Sequence, residues 1–285
     1  MFKQSSLLLG LMLLGLLAIG CTDRRAAASD EEAQTDSLAG DSLATDTVAD
    51  LVEDAPLPKA VDELFDDFFF NFAGNRRMQM SRIAFPLAVV KGGQTAKLQR
   101  GQWRYSHFFM AEGFYMLLFD DIRQDSLSKS YGLRKASVEK LYLREDLMKE
   151  YDFRRAADGK WQLVRIEHKP LGEHPCADFL HFYERFASDT AFQVRSLDEF
   201  VVMTAPDSDD EEDSGEVTGS IMPEQWPSFK PEIIPQGIVY CVNYGQHYSN
   251  DRQKVVVVRG VANGLSIEMT FHRKSNGWKL VRFMV

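Results

Sequence analysis

The side chains best suited to chemistry lie in two short stretches of this 285-residue chain. In "WRYSHFFMAEGFYMLLFDD", Trp103, Tyr105 and His107 alternate, so on a strand of period two they share one face. A general acid or base at His107 needs a carboxylate within hydrogen-bond reach, and Asp120 and Asp121 close the same stretch. The second stretch, "VYCVNYGQHYSN", carries Tyr240, Tyr244, His247 and Tyr248. Trp103, Tyr105, His107, Tyr240, Tyr244 and His247 are therefore the expected lining of a ligand pocket. No catalytic residue is assigned, because none of these groups falls in a motif that identifies a reaction. A half-buried, hydrogen-bonded His107 is the simpler reading.

His174, Cys176, His181, Cys241 and His247 are the metal-ligating types, but their spacing matches no zinc pattern, so no metal or other cofactor is expected. With Cys21 set aside, Cys176 and Cys241 are an even pair and candidates for a disulfide in an oxidising compartment. Such a bridge ties the start of a helix to a middle strand and stabilises by roughly 4 kcal/mol under the chain-entropy account. A Gly-rich phosphate loop, a nucleophile elbow and a His-Glu-x-x-His zinc motif are all missing. The acidic block "DSDDEEDSGE" lacks the alternating oxygen ligands and sixth-position Gly of a calcium hand.

The elements that must position these groups occur twice. "GWKLVRFMV" at the end of the chain repeats "KWQLVRIEH", with Trp161, Leu163, Val164 and Arg165 matching Trp278, Leu280, Val281 and Arg282 at an offset of 117. Phe153, Arg155 and Gly159 match Phe271, Arg273 and Gly277 at 118, and Phe68, Phe72, Ala73 and Gln79 match Phe182, Phe186, Ala187 and Gln193 at 114. Each copy opens with a helix, since Leu64, Phe65, Phe68, Phe69 and Phe72, like Phe179, Phe182, Tyr183 and Phe186, recur at three and four residues. Each closes with an antiparallel meander, its turns at Asn263-Gly264 and Asn276-Gly277 in copy two and near Glu145-Asp146 and at Asp158-Gly159 in copy one.

The first 20 residues form a separate element: Lys3 precedes an apolar run from Leu7 to Ile19 that is too short to span a membrane. The run leads through Leu17, Ala18, Ile19 and Gly20 to Cys21, which resembles the lipobox of bacterial lipoproteins. The resemblance implies cleavage before Cys21, lipidation of Cys21 and a lipid-anchored location in the cell envelope, periplasmic or at the outer-membrane surface. Residues 21–59 hold no aromatic side chain and net −7, so they are expected to be a disordered tether. The acidic block 207–216 carries another −7 and is expected to be a solvated loop. With Lys3 and both acidic stretches set aside, the rest of this −9 chain carries +4. No cluster of bases with interleaved aromatics stands out along the sequence, so no nucleic-acid partner is expected.

A leading helix, a second short helix and a curved antiparallel sheet ending in a Gly-Trp-x-Leu strand resemble the nuclear transport factor 2-like superfamily, also described as cystatin-like cones. The tandem copies on an acidic, lipid-tethered linker resemble a group of uncharacterised lipoproteins of Gram-negative gut commensals. The implied fold is α+β: two cone-like domains, residues 60–172 and 173–285, each with N-terminal helices packed on a curved antiparallel sheet. The resemblance further implies pockets in the cones and an intrachain pseudo-dimer. The expected function is a membrane-tethered, non-catalytic envelope module binding a small ligand or a protein partner through cone pockets or sheet faces. The alternatives are a pocket enzyme of the isomerase or dehydratase type and a purely structural scaffold.

Overall fold

The computed structural model describes residues 61–206 and 215–285. The apolar run 1–20, Cys21, the stretch 21–59 and most of the acidic block 207–216 lie outside the described residues.

The phenylalanine stripe folds as expected, giving α1 (Phe65–Gly74) with Phe65, Phe68, Phe69 and Phe72 all buried. Asn75 ends α1 and starts α2 (Arg76–Arg82), its side-chain oxygen accepting the Met78 N–H at 2.9 Å. Strands β1 (Ile83–Lys91), β2 (Gln94–Leu98), β3 (Phe114–Phe119), β4 (Lys135–Tyr142), β5 (Leu147–Arg155) and β6 (Trp161–Pro170) complete the first copy. The second copy repeats the order with α3 (Ala177–Ser188), α4 (Thr190–Arg195), β7 (Leu197–Pro206), β8 (Glu216–Ile221), a short α5 (Trp226–Phe229), β9 (Ile238–Asn243), β10 (Gln253–Gly260), β11 (Ser266–Lys274) and β12 (Gly277–Met284). Asp189 caps α4 as Asn75 caps α2, its carboxylate accepting the Phe192 N–H at 2.9 Å. The hairpin glycines of the sequence, Gly159, Gly264 and Gly277, all adopt positive φ, the backbone state for which Gly meets no Cβ clash.

Among the described residues all strands belong to one sheet in the order β2-β1-β6-β5-β4-β9-β3-β10-β11-β12-β7-β8. The third strands of the two copies have changed places. β9 pairs antiparallel with β4 of the first copy, while β3 pairs antiparallel with β10 of the second. At the seam β3 and β9 meet in parallel through Met116 and Cys241. The described residues accordingly form one compact unit, and the boundary between copies in the chain is not a boundary in space.

The exchange explains why the central strands are so apolar. Tyr115, Leu117 and Phe119 of β3 face a core built on α1, whereas Met116 and Leu118 face a second core built on α3. Tyr240 and Val242 of β9 divide likewise from Val239 and Cys241, and Val255 and Val257 of β10 from Val256 and Val258. A strand covered on both faces reads as a continuous apolar run. The helix pairs thus lie on opposite faces of the sheet, one over each half.

Both cone interiors are filled by their own aromatic rings. Phe153 meets Phe65, Phe69 and Phe72 edge-on at 5.5, 5.5 and 5.3 Å in the first half. Its counterpart Phe271 meets Phe179, Phe182 and Phe186 at 5.4, 5.8 and 5.1 Å in the second.

Candidate functional site

A groove of about 430 Å³ with an apolar floor lies on the second half of the sheet, on the face turned away from α3. Strand alternation builds it. Ile267, Met269 and Phe271 of β11 enter the α3 core, so Glu268, Thr270 and His272 point the other way. Val255 of β10, Val281 of β12 and Val202 of β7 supply the floor, and Asp121 and Ile122, just past the exchanged strand β3, form a wall. The first copy thus closes one side of a groove in the second.

Six of its ten lining residues are polar or charged, and most of them are paired. Gln253 Oε1 and His272 Nε2 are 3.0 Å apart, and the Arg123 guanidinium holds Asp121 through two bonds of 2.8 and 2.9 Å. Thr270 Oγ1 donates to Glu268 at 3.5 Å. Desolvation raises the pKa of the half-buried Glu268, against the opposing charge of Arg282.

The equivalent face of the first half carries ion pairs. There Arg165 binds Glu167 at 2.6 Å, and Lys169 binds Glu150 at 2.6 Å and Glu167 at 3.0 Å. This ion-pair ladder covers the sheet. In both halves the registers correspond, Glu150 opposite Glu167 and Asp152 opposite Arg165, as Glu268 is opposite Met284 and Thr270 opposite Arg282. At these matched positions Thr270 stands for Asp152, Met284 for Glu167 and Val255 for Ser137. Loss of two carboxylates and gain of a valine turn a charged ladder into an apolar-floored groove.

Two other concavities are less suited to a ligand. A depression of about 470 Å³ is lined by Asp62, Glu63, Arg134, Arg155, Asp158, Gly159 and Lys160, with no apolar floor, and Arg155 is already committed to the carbonyls of Tyr131 and Glu63 at 2.7 and 2.8 Å. A cavity of about 120 Å³ beside α3 is lined by Cys176, Phe179, Tyr248, Lys254 and Trp278 among others. Its two cations, Lys254 and Arg273, already have partners, Arg273 binding Asp178 at 3.0 Å. Lys254 is paired to Asp120 and donates to the Asn250 carbonyl at 2.7 Å, while the N–H groups of Ser249 and Asn250 occupy the other Asp120 oxygen at 2.6 and 2.7 Å.

With this geometry in hand, the comparisons with known proteins are informative. The family described as a domain of unknown function (DUF4348) matches residues 44–285. The chain belongs to that family. It is also similar to the crystal structure of an NTF2-like protein (BF2862) from Bacteroides fragilis NCTC 9343, at 33% identity and a TM-score of 0.73, over 80% of this chain and 98% of that one. No curated protein matches the chain. The α+β, nuclear transport factor 2-like expectation therefore stands for this DUF4348 chain.

None of the sequence-predicted pocket residues lines the groove; Trp103, Tyr240 and Tyr244 belong instead to the first core. Trp103, Tyr105 and His107 are not on a strand: residues 103–107 are irregular and lead into a 3-10 turn, Phe108–Met110. Gln79 overrides the alternation. Its side chain accepts the Trp103 indole N–H at 3.1 Å and donates to the Ser106 carbonyl at 2.6 Å, pinning the segment to α2. Trp103 is thus a clamp, and Trp226 repeats it by donating to Gln193 at 3.0 Å. Tyr105 donates to the Ala73 carbonyl at 2.8 Å, and the exposed His107 ring lies edge-on to it at 4.5 Å.

Tyr240 is buried in the first core against Phe108 and Phe109, and His247 is exposed, its carbonyl accepting from Gln124 at 2.9 Å. Tyr244 is buried and donates to Asp66 of α1 at 2.7 Å, a partner that position 66 in a helical stripe did not announce. Cys176 and Cys241 are both buried and both free thiols, so the bridge considered from the sequence is not made in the structure. Among the described residues no group of three or more His, Cys, Asp or Glu side chains could hold a metal ion, and no helix is long and apolar enough to cross a membrane. The groove residues were missed because the signal lies in a comparison of the two copies, Asp152 against Thr270, rather than in either alone.

Proposed function

We propose that this chain is an envelope-anchored, non-catalytic binding module, tethered through a lipid at Cys21, whose working site is the groove over β10, β11, β12 and β7. The observation that carries the reading is the divergence of one face between two copies of one fold: filled by ion pairs in the first half, open in the second. At about 430 Å³, with a valine floor, Ile122 in one wall and Glu268, His272 and Arg282 at its sides, the groove has the size and polarity of a small-ligand site. The ligand class that fits is a small amphipathic molecule with an apolar body and a polar group able to meet Arg282 or Glu268. Catalysis fits less well, because the cones are packed with their own rings and His107 stands exposed outside them.

The test is native mass spectrometry of the protein isolated from its own membranes, with Val281→Arg as the comparison. The expected result is a bound mass on the wild-type chain that is lost in the variant, with the melting temperature held within a few degrees. A wild-type chain that carries no bound mass and shows no thermal shift against amphipathic ligands would sink the groove reading. Cys21 is tested separately, by incorporation of a labelled acyl chain that Cys21→Ser abolishes.

A further inference from the structure

From Phe68 to Ala111, a stretch of 44 residues, the sequence contains seven Lys and Arg side chains and no Asp or Glu. The bases are spread along the chain, and the fold gathers them. α2 carries Arg76 and Arg77, the β1–β2 hairpin carries Lys91 and Lys97, and Arg100 and Arg104 belong to the segment that Gln79 folds back onto α2. All six are exposed, and β2 is an outer edge of the sheet. The seventh, Arg82, is buried and paired with Asp62 at 2.7 Å. Glu167, which the β1–β6 pairing sets opposite Val90, is held by Arg165 and Lys169. Both acids are thus held by cations outside the exposed six.

The other outer edge has the opposite sign. β7 and β8 carry Asp198, which is paired with Lys274 at 3.1 Å, and Glu199 and Glu216, and the sequence between the two strands holds the other six acids of the block 207–216. The sheet is charged positively at its β2 end and negatively at its β8 end. The chain enters the described fold at the positive end, since Asp62, two residues into it, is bonded to Arg82 of α2.

We propose that the α2–β1–β2 edge is a docking surface for an anionic lipid headgroup layer, and that it orients the module with its β8 edge and its groove away from the membrane. This rests on the membrane-anchored reading given above, which sets the fold beside a bilayer. Charge complementarity selects the partner: an anionic surface attracts clustered Lys and Arg within a Debye length and needs no shaped pocket. The point where the chain enters the described fold and the patch then share one end of that fold.

The experiment uses the chain from Thr22 onward, which keeps every described element and lacks both the apolar run and Cys21. It is mixed with vesicles of phosphatidylglycerol and phosphatidylcholine, or of phosphatidylcholine alone, and partition is read by sedimentation. The expected result is partition onto the anionic vesicles only, suppressed by 0.5 M salt and weakened roughly fivefold for each of Arg76, Arg77, Arg100 and Arg104 changed to Gln. Lys230→Gln, in the second half, is expected to leave partition unchanged. Equal partition onto both vesicle types, or an equal effect of Lys230→Gln, would overturn the proposal. Salt-sensitive self-association without vesicles, lost in the same arginine variants, would overturn it too and assign the edge to the acidic edge of a second copy. Failure here leaves acylation of Cys21 standing, and failure of acylation leaves this partition measurable.

Discussion

Asp66, in the first turn of α1, holds its carboxyl largely out of water and accepts the Tyr244 hydroxyl at 2.7 Å. Burial pushes its pKa up to about 6, with Asp67 and Asp125 adding to the rise and Tyr244 and Arg259 opposing it. An acid whose folded pKa lies above its unfolded value binds its proton more tightly when folded, so stability is lost as pH rises from about 4 through 6. From the usual 3.8 to about 6 the penalty at neutral pH is about 3 kcal/mol. Asp66→Asn keeps an oxygen for Tyr244 and cannot ionise. Its melting temperature is expected to exceed that of the wild type at pH 7 and to converge with it below pH 4; a variant less stable at pH 7 would show the carboxylate to be favourable. The two thiols answer to the same physics. Burial raises Cys176 to about 12 and lifts Cys241 well above the usual thiol range, so neither presents a thiolate at pH 8. Iodoacetamide is expected to label neither in the folded chain and both after unfolding in guanidinium. Absence of label after unfolding without reductant would identify a Cys176–Cys241 bridge instead.

Elements follow the sequence where local spacing decides them, and depart from it where a distant side chain does. The phenylalanine stripes and the Asn-Gly and Asp-Gly turns are local signals, and α1, α3 and the closing meanders appear where those signals place them. Residues 103–107 alternate like a strand yet are irregular, because Gln79, more than 20 residues away, takes the Trp103 N–H and the Ser106 carbonyl. Nothing in "WRYSH" itself reports that partner. The groove was hidden for a related reason: β-bulges in β11–β12 and β5–β6 shift the alternation, so the facing residues emerge only once register is known. The clamp makes a measurable claim about its own worth. Gln79→Leu strands the indole N–H of Trp103 and two backbone groups of Ser106, and is expected to destabilise the fold by about 2–3 kcal/mol in denaturant titration. Gln193→Leu strands the Trp226 N–H alone and should lose about half as much. A loss under 0.5 kcal/mol in Gln79→Leu would mean that water replaces the glutamine and that the segment is held by other contacts.

At the scale of the molecule the strand exchange governs what can stand alone. The internal repeat was legible because the copies retain Phe, Trp and Gly at matching offsets, but pairing across the sheet is not a local property, and two separate cones were the natural expectation. The structure makes each half depend on the other: β9 closes the first half against β4, β3 closes the second against β10, and their side chains enter both cores. Either half by itself would expose one face of a strand such as Phe114–Phe119, which is apolar on both sides. Residues 60–172 and 173–285 expressed separately are therefore expected to give no monomer with a cooperative thermal transition, and to regain one on co-refolding in equal amounts. Circular dichroism with size-exclusion chromatography reads both outcomes. A half that melts cooperatively as a monomer would mean that its own third strand folds back beside its own fourth, making the exchange a property of the joined chain and not a requirement of either copy.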